Sequence, residues 1–275
     1  MVDILHFFRT TMVTPKPFGP WHLTSIALVA ALIALLVWRF RHADDKTVRI
    51  ILFCAWVLMV LGEVYKQFVI TYNFAADGTI VKDYMWHIFP YQFCSTPLYV
   101  LPWAVFLPDC RVRRACLAFL ATFALFGGFV VYCLPGDVFV SLVGVNIQTM
   151  LHHGLQIVVG VYLATRYHKK LNLRYFLGGL AVFACLVAVA VVLNVVMHHY
   201  LVATAQNTEA FNMFYLSPYY ECYMPVLSII RPLVPYGVFL PIYVIGFTVI
   251  GLAVLGMEVG ISRLLGGKRR SSPRT

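Results

Sequence analysis

Long apolar runs alternate with short polar segments along the whole of this 275-residue chain. Seven of the runs are about 20 residues long, which is the length that an α-helix needs to cross the hydrocarbon core of a bilayer. The pattern therefore predicts an all-α fold, a polytopic membrane protein with seven transmembrane helices. We expect these helices at residues 21–40, 49–72, 87–107, 115–134, 147–167, 175–200 and 232–257.

The segments between the predicted helices are too short to form a separate soluble domain, so we expect residues 1–275 to form a single seven-helix membrane domain. Residues 1–20 are predicted to be an outer N-terminal tail, residues 201–231 a long aromatic outer loop, and residues 263–275 a basic cytoplasmic tail. Composition favours a membrane protein, because 61% of the residues are hydrophobic and only 12% are charged, about half of the charged fraction of a soluble domain.

The basic residues predict the orientation of the helices. Most of the 21 Lys and Arg residues fall in four clusters, which follow the first, third, fifth and seventh apolar runs. The clusters are Arg39, Arg41, Lys46 and Arg49; Arg111, Arg113 and Arg114; Arg166, Lys169, Lys170 and Arg174; and Arg263, Lys268, Arg269, Arg270 and Arg274. Because short loops rich in Lys and Arg stay in the cytoplasm, we predict an outside N-terminus and a cytoplasmic C-terminus in a multi-pass protein of the cell membrane. The net charge of +10 is then a topology signal, and we expect no nucleic-acid partner.

Polar side chains within the apolar runs lie in the outer half of the predicted bundle. Such groups are costly in a bilayer and mark function, because no water is available there to satisfy them. The set includes Glu63, Lys66, Cys94, Gln148, His152, His153, Gln156, Asn194 and His198. Their similar depth predicts a cavity that opens to the outer leaflet or to the outer water.

Within this layer, two neighbouring pairs carry specific predictions. Glu63 and Lys66 are three residues apart on one helix face, so we expect them to form an ion pair inside the bundle. His152 and His153 point about 100° apart on their helix. We therefore expect one of the two to face the cavity and the other to hydrogen-bond a neighbouring helix.

Cys94 lies in the polar, proline-flanked stretch PYQFCSTP, at the predicted depth of His153. A thiolate can take an acyl group from a phospholipid ester when a nearby imidazole removes the thiol proton. His153 is our predicted base. Lys66 is predicted to stabilise the thiolate or the oxyanion, with Glu63 neutralising Lys66 or orienting His153. A lysophospholipid would be the second substrate for transfer, and water for hydrolysis.

Four short motifs give the chain a resemblance to a known family. They are GEVYKQF on the second helix, FPYQFCST at the third, LHHGLQIVVGVYL on the fifth and FNMFYLSP in the outer loop. Together they resemble the YwaF-like integral membrane family, whose animal members are the transmembrane protein 164 proteins, seven-span lipid acyltransferases. Span count and topology also fit, so the resemblance covers most of the chain.

The resemblance implies a membrane-bound lipid acyltransferase whose partners are phospholipids or lysophospholipids, with no cofactor. By this match Cys94 resembles the family's proposed acyl-carrying nucleophile and His153 its partner. Asn212 and Pro218 resemble the loop residues of the family's Asn-Met-x-x-x-x-Pro-like stretch. Many bacterial relatives read Leu-Pro-Leu-His-Leu-Cys, and Gln92 stands here where that His would be.

Other functions also fit a polar layer in a seven-helix bundle. A Glu–Lys pair with histidines suits a membrane transporter or a protein that binds a small molecule or lipid, although no half-repeat of the transporter kind is visible. An accessory membrane protein without activity is a further alternative. A zinc-dependent lipid hydrolase could recruit His22, His87, His152, His198 and Glu63, but no His-x-x-x-His pair is present, and we expect no metal.

Overall fold

The computed structural model describes residues 2–136, 138–204 and 211–267, with side chains as far as residue 262. Over these residues the chain is mostly helical. The helices are α1 (Val2–Phe8), α2 (Pro20–Phe40), α3 (Asp45–Thr71), α4 (Pro97–Phe106), α5 (Arg111–Phe119), α6 (Leu125–Cys133), α7 (Val143–Arg166), α8 (Leu173–Ala203), α9 (Leu227–Ile230) and α10 (Tyr236–Gly267). The side chains of the predicted fourth basic cluster, Arg263 to Arg274, lie outside the described residues.

Five helical stretches in the described part of the chain are long and apolar enough to cross a membrane. They are Pro20–Phe40, Asp45–Thr71, Arg111–Cys133, Leu173–Ala203 and Tyr236–Ser262. The third of these joins α5 and α6 through a π-helical turn, Leu120–Ala124. The chain is therefore a multi-pass integral membrane protein, as predicted.

The helix α7 differs from these five because its first half is polar. It packs against α2, α3 and α6, and most of its 24 residues are buried. Only a narrow apolar strip in its first half, at Ile147 and Leu151, is exposed. Its polar side chains therefore point into the protein, which places the predicted polar layer on the central element of the bundle.

The predicted third helix, residues 87–107, is broken in the structure. Two short 3₁₀ turns, Trp86–Ile88 and Phe93–Ser95, precede the ten-residue helix α4. Proline lacks the N–H of the helix ladder and disfavours a helical residue before it, so Pro90 interrupts a continuous helix, and Phe89 before it is not helical. Pro97 instead occupies the first position of α4, where a missing N–H has no cost. At 1.5 Å per residue α4 rises ~15 Å, about half of the hydrocarbon core. The segment that contains Cys94 is therefore irregular backbone.

A small antiparallel sheet follows α3, which the all-α prediction missed. Strands β1 (Tyr72–Phe74) and β2 (Ile80–Lys82) pair with Asn73 opposite Val81. The turn between them contains Gly78 at a φ of +80°, a conformation that glycine adopts without a steric cost. Strands of three residues are too short to give a pattern that distinguishes them from a loop in the sequence.

The N-terminal segment, predicted as an outer tail, folds back on the bundle. Arg9 donates to the backbone carbonyls of Val69 and Tyr72, and so caps the end of α3. The hydroxyl of Tyr65 donates to the Phe8 carbonyl at 2.7 Å. These contacts cover the exposed carbonyl groups at a helix C-terminus, which otherwise lack partners.

The described part of the predicted outer loop, residues 211–231, packs into the bundle. Five of its apolar side chains are almost completely buried, while others such as Val226 and Ile229 stay exposed; the buried ones are Phe211, Met213, Phe214, Leu216 and Cys222. Residues 205–210 of the same loop lie outside the described residues. Burial of these side chains fixes the loop against the helices, beside the irregular segment that carries Cys94.

Candidate functional site

Cys94 lies in a tight turn at the centre of the candidate site. The turn is closed by the amide of Ser95, which donates to the Gln92 carbonyl at 2.8 Å, and by the Thr96 hydroxyl, which donates to the Phe93 carbonyl at 2.7 Å. Since the turn is too short to satisfy its own backbone, the Cys94 carbonyl is left free to bond another element. That element is α7.

Two side chains of α7 meet at the carbonyl oxygen of Cys94. His152 Nε2 lies 3.0 Å from this oxygen and Gln156 Nε2 donates to it at 2.8 Å. The two residues are four apart, and side chains at this spacing lie on one face of a helix. Because a carbonyl oxygen only accepts, His152 Nε2 carries a proton and donates, and the neutral ring has its lone pair on Nδ1.

The opposite ends of these two side chains are buried. Both residues are almost fully covered, with 4% of His152 and 2% of Gln156 exposed. Among the residues that the structure describes, no donor contacts His152 Nδ1 or Gln156 Oε1. The face of α7 beside the Cys94 turn therefore presents two hydrogen-bond acceptors without partners.

His153 is held in a different way. Its Nδ1 lies 2.8 Å from the Thr149 carbonyl on its own helix, so Nδ1 carries the proton and Nε2 has the lone pair. We expected one of the two histidines to bond a neighbouring helix. The histidine that bonds a neighbouring segment is His152, at the Cys94 turn, whereas His153 bonds a carbonyl in the preceding turn of α7. The centres of the His152 and His153 rings are 5.5 Å apart.

The predicted pair of Glu63 and Lys66 is confirmed. Lys66 Nζ lies 2.8 Å from Glu63 Oε1, with only 19% and 9% of the two side chains exposed. Gln67 Nε2 donates to the same carboxylate oxygen and to the Ile88 carbonyl, each at 2.8 Å. Gln67 therefore connects α3 to the irregular segment before Cys94.

Lys66 is the electrostatic centre of the site. It lies close enough to Cys94, His152 and His153 for its charge to act on all three groups, and the Glu63 carboxylate also acts on Cys94. A cation next to a thiol stabilises the thiolate, and next to an imidazole it disfavours the imidazolium. Cys94, the two histidines and the ion pair thus form a cluster in the sense that all of them lie within range of the charge of Lys66.

Other predicted site residues fasten the outer loop to this cluster. Gln92 donates to the Asn212 carbonyl and accepts from the Phe214 amide, both at 3.0 Å. Asn194 binds the Met213 backbone twice, donating to its carbonyl at 2.9 Å and accepting from its amide at 2.7 Å. These amides replace the sheet or helix partners that the loop backbone lacks.

Asn212 and His198 act within the loop region. Asn212 donates to the Glu221 carbonyl at 2.8 Å and accepts from the Ser217 amide at 2.9 Å. His198 stacks on Tyr219, with ring centres 3.6 Å apart. The contacts of His198 are with the loop, so the structure does not bring it to the Cys94 turn.

Comparison with known proteins gives one match. The TMEM164 family profile matches residues 17–258 of the chain. The chain therefore belongs to the TMEM164 family. This result confirms the resemblance seen in the four sequence motifs. The match includes the Cys94 turn, all of α7 and the outer loop. No curated protein and no solved structure matches the chain.

For this TMEM164 family member, the metal-dependent alternative has no ligand set in the part of the chain that the structure describes. Among the described residues, no group of three or more His, Cys, Asp or Glu side chains is arranged so that it could hold a metal ion. His22, one proposed ligand, is buried between Phe139 and Tyr132 and accepts from the Phe18 amide at 3.0 Å through Nδ1.

Three features of the site were missed in the sequence. Gln67 could have been found, because it is four residues from Glu63 and shares its helix face. Thr149 acts through its carbonyl, which no sequence pattern reveals. The pair Gly127 and Gly128 on α6 lets α7 approach closely, since a Cβ on Gly128 would lie 2.8 Å from the Cβ of Gln156. Small residues at helix contacts are the sequence signal for such an approach.

Proposed function

We propose that this protein is a membrane-bound lipid acyltransferase that moves an acyl chain between phospholipids through Cys94. One observation carries the proposal. The Cys94 turn is fixed to α7 because His152 and Gln156 both bond the Cys94 carbonyl, and Cys94 lies within range of the Lys66 charge in an otherwise apolar bundle. Ionisable side chains gathered in this way inside an apolar bundle are typical of catalytic sites.

The first half-reaction loads the enzyme. His153 Nε2, whose lone pair is free because Nδ1 donates to Thr149, takes the thiol proton of Cys94. The thiolate attacks the ester carbon of a phospholipid, the ester C–O bond breaks, and the leaving lysophospholipid oxygen takes the proton back from His153. The acyl chain is then a thioester on Cys94. Lys66 stabilises the thiolate and the oxyanion of this step.

In the second half-reaction a lysophospholipid hydroxyl attacks the thioester and releases Cys94. Cys94, the Glu63–Lys66 pair and the two histidines of α7 belong to the predicted outer half of a seven-span protein with its N-terminus outside. In this proposal α4 with its preceding turns and α7 complete the seven crossings. The substrates would accordingly enter from the outer leaflet of the cell membrane.

The proposal is tested by trapping the thioester. Purified protein is incubated with a phospholipid that carries a labelled acyl chain, and the label is followed on the protein with and without hydroxylamine, which cleaves thioesters. We expect hydroxylamine-sensitive label in the wild type and none in Cys94→Ser. Cys54→Ser and Cys185→Ser are matched controls, because both cysteines are exposed on the outside of the bundle and should leave labelling intact. Equal labelling of Cys94→Ser and wild type would overturn the proposal.

A further inference from the structure

The face of α7 beside the Cys94 turn contains two polar atoms for which the described structure provides no partner. His152 Nδ1 and Gln156 Oε1 are both buried. Each belongs to a planar group whose Nε2 atom donates to the Cys94 carbonyl. Each atom is therefore fixed within a few ångströms of Cys94. Leaving a buried acceptor without a donor costs about 1–3 kcal/mol, so a ligand that supplies a donor is favoured at this place.

The chemistry of the two atoms defines that ligand. Both are acceptors, since the donating ends of the two groups are already used at Cys94. A ligand must therefore bring an O–H or N–H group. The charge of Lys66 acts on His152 and disfavours an ammonium ligand. A neutral donor remains, and in the proposed acyl transfer this donor is the hydroxyl of the acyl acceptor, which can donate to His152 Nδ1 or to Gln156 Oε1.

We propose that His152 Nδ1 and Gln156 Oε1 bind the hydroxyl group of the acyl acceptor, and that the two histidines divide the reaction. This inference rests on the proposed acyl transfer. His153 serves the loading of Cys94, while His152 is the base for the acceptor and Gln156 orients the acceptor hydroxyl. Lysophospholipid and water both carry the required O–H group, and the acceptor arm of the experiment distinguishes them.

The second half-reaction balances with these groups. The acceptor O–H bond breaks and its proton moves to His152 Nδ1, while the oxygen forms a bond to the acyl carbon. The C–S bond of the thioester breaks, and Cys94 leaves as a thiolate that regains the proton from His152. During the step His152 carries protons on both nitrogens, and the Cys94 carbonyl stabilises this cation through the bond that it already accepts from Nε2.

Two variants separate binding of the acyl acceptor from the loading of Cys94. His152→Gln keeps an amide donor that can reach the Cys94 carbonyl but removes the base at Nδ1. Gln156→Met keeps the side-chain volume but removes both Oε1 and the Nε2 that donates to the Cys94 carbonyl. Loading is therefore measured in the same variant, because loss of the bond to the turn affects loading, whereas loss of Oε1 affects only the acceptor step. Gln148→Met is the matched control, because Gln148 is a buried glutamine on the same helix two turns earlier and bonds nothing at the Cys94 turn.

Loading and release are measured separately by rapid quench with labelled phospholipid, followed by a chase with lysophospholipid or with buffer alone. For His152→Gln we expect loading within a few-fold of wild type and release to lysophospholipid slowed about 100-fold, the usual contribution of a positioned base. For Gln156→Met, the lysophospholipid concentration for half-maximal release should rise about tenfold, the equivalent of one hydrogen bond. Release in buffer alone, at the rate found with lysophospholipid, would identify water as the acceptor.

The outcomes are distinguishable from failure of the proposed function. Absence of a thioester in wild-type protein would remove both proposals. A thioester that His152→Gln releases at the wild-type rate would overturn the acceptor site alone. Equal slowing of loading and release would show that His152 serves both steps and would overturn the division of roles. Thermal unfolding checks each variant, and Gln156→Met decides the matter if His152→Gln does not fold.

Discussion

Gly128 lies against the backbone carbonyl of His153. A Cβ built on Gly128 would be 2.6 Å from this oxygen and 2.8 Å from the Gln156 Cβ, distances that no packed side chain tolerates. The contact brings α6 and α7 together at the height of the two histidines. The position of α7, and with it of His153, therefore depends on Gly128, which has no side chain and takes no part in the proposed chemistry.

Replacing Gly128 by alanine should disturb the site through this contact. The helices must separate, and overpacking of this kind costs about 1–3 kcal/mol. We expect a lower unfolding temperature in detergent and loss of thioester formation on Cys94. Gly246→Ala on α10 is the control, because a Cβ at Gly246 has no neighbour within 4 Å. A Gly128→Ala protein with wild-type stability and labelling would contradict the packing argument.

The Glu63–Lys66 pair should show strong coupling between its members. Removing one partner leaves a charge in a largely buried place, so Glu63→Gln and Lys66→Met should each lower the free energy of unfolding by about 3 kcal/mol. The double variant removes both charges and should be more stable than either single variant. Thermal unfolding of the four proteins completes a double-mutant cycle. Strictly additive effects would indicate that water, and not the partner, solvates these side chains.

Asn194 should be required for the position of the outer loop. It is fully buried and satisfies both backbone groups of Met213. Asn194→Leu retains the volume but leaves a buried amide and a buried carbonyl without partners, which should cost about 2 kcal/mol or more. Limited proteolysis should then cut the loop sooner than in wild type. As a control, exposed Asn73→Ala should change stability by less than about 0.5 kcal/mol. Unchanged cleavage in Asn194→Leu would show that other contacts hold the loop.

The predicted orientation is tested with reporter fusions. The clusters around Arg111 and Arg166 lie in the short connections that should stay in the cytoplasm. A reporter that is active only in the cytoplasm should therefore be active when fused after residue 262, and inactive when inserted in the turn at Gly78. The reverse pattern would show that the protein has the opposite orientation, with the Cys94 site at the inner leaflet.

Sequence reasoning reached the site because membrane burial makes polar residues conspicuous. The pairing of Glu63 with Lys66 follows from their spacing, and the contact between the Cys94 turn and α7, which is made by His152, follows from depth. The pairing of Cys94 with His153 stays a prediction. The sequence could not tell which histidine contacts the Cys94 turn, since that depends on the rotation of α7, which is fixed by neighbours such as Gly128. It also predicted a continuous third helix, because the hydropathy of an apolar segment does not reveal where prolines interrupt its hydrogen-bond ladder.

The backbone around Cys94 can form its side-chain hydrogen bonds only after later parts of the chain have been synthesised. The Cys94 carbonyl is satisfied by residues 58 and 62 positions later, and the Gln92 side chain by backbone 120 and 122 positions later. A nascent chain that ends before α7 therefore holds this segment without its partners. In such arrested chains Cys94 should react with a water-soluble maleimide, and protection should begin only once α7 has entered the membrane.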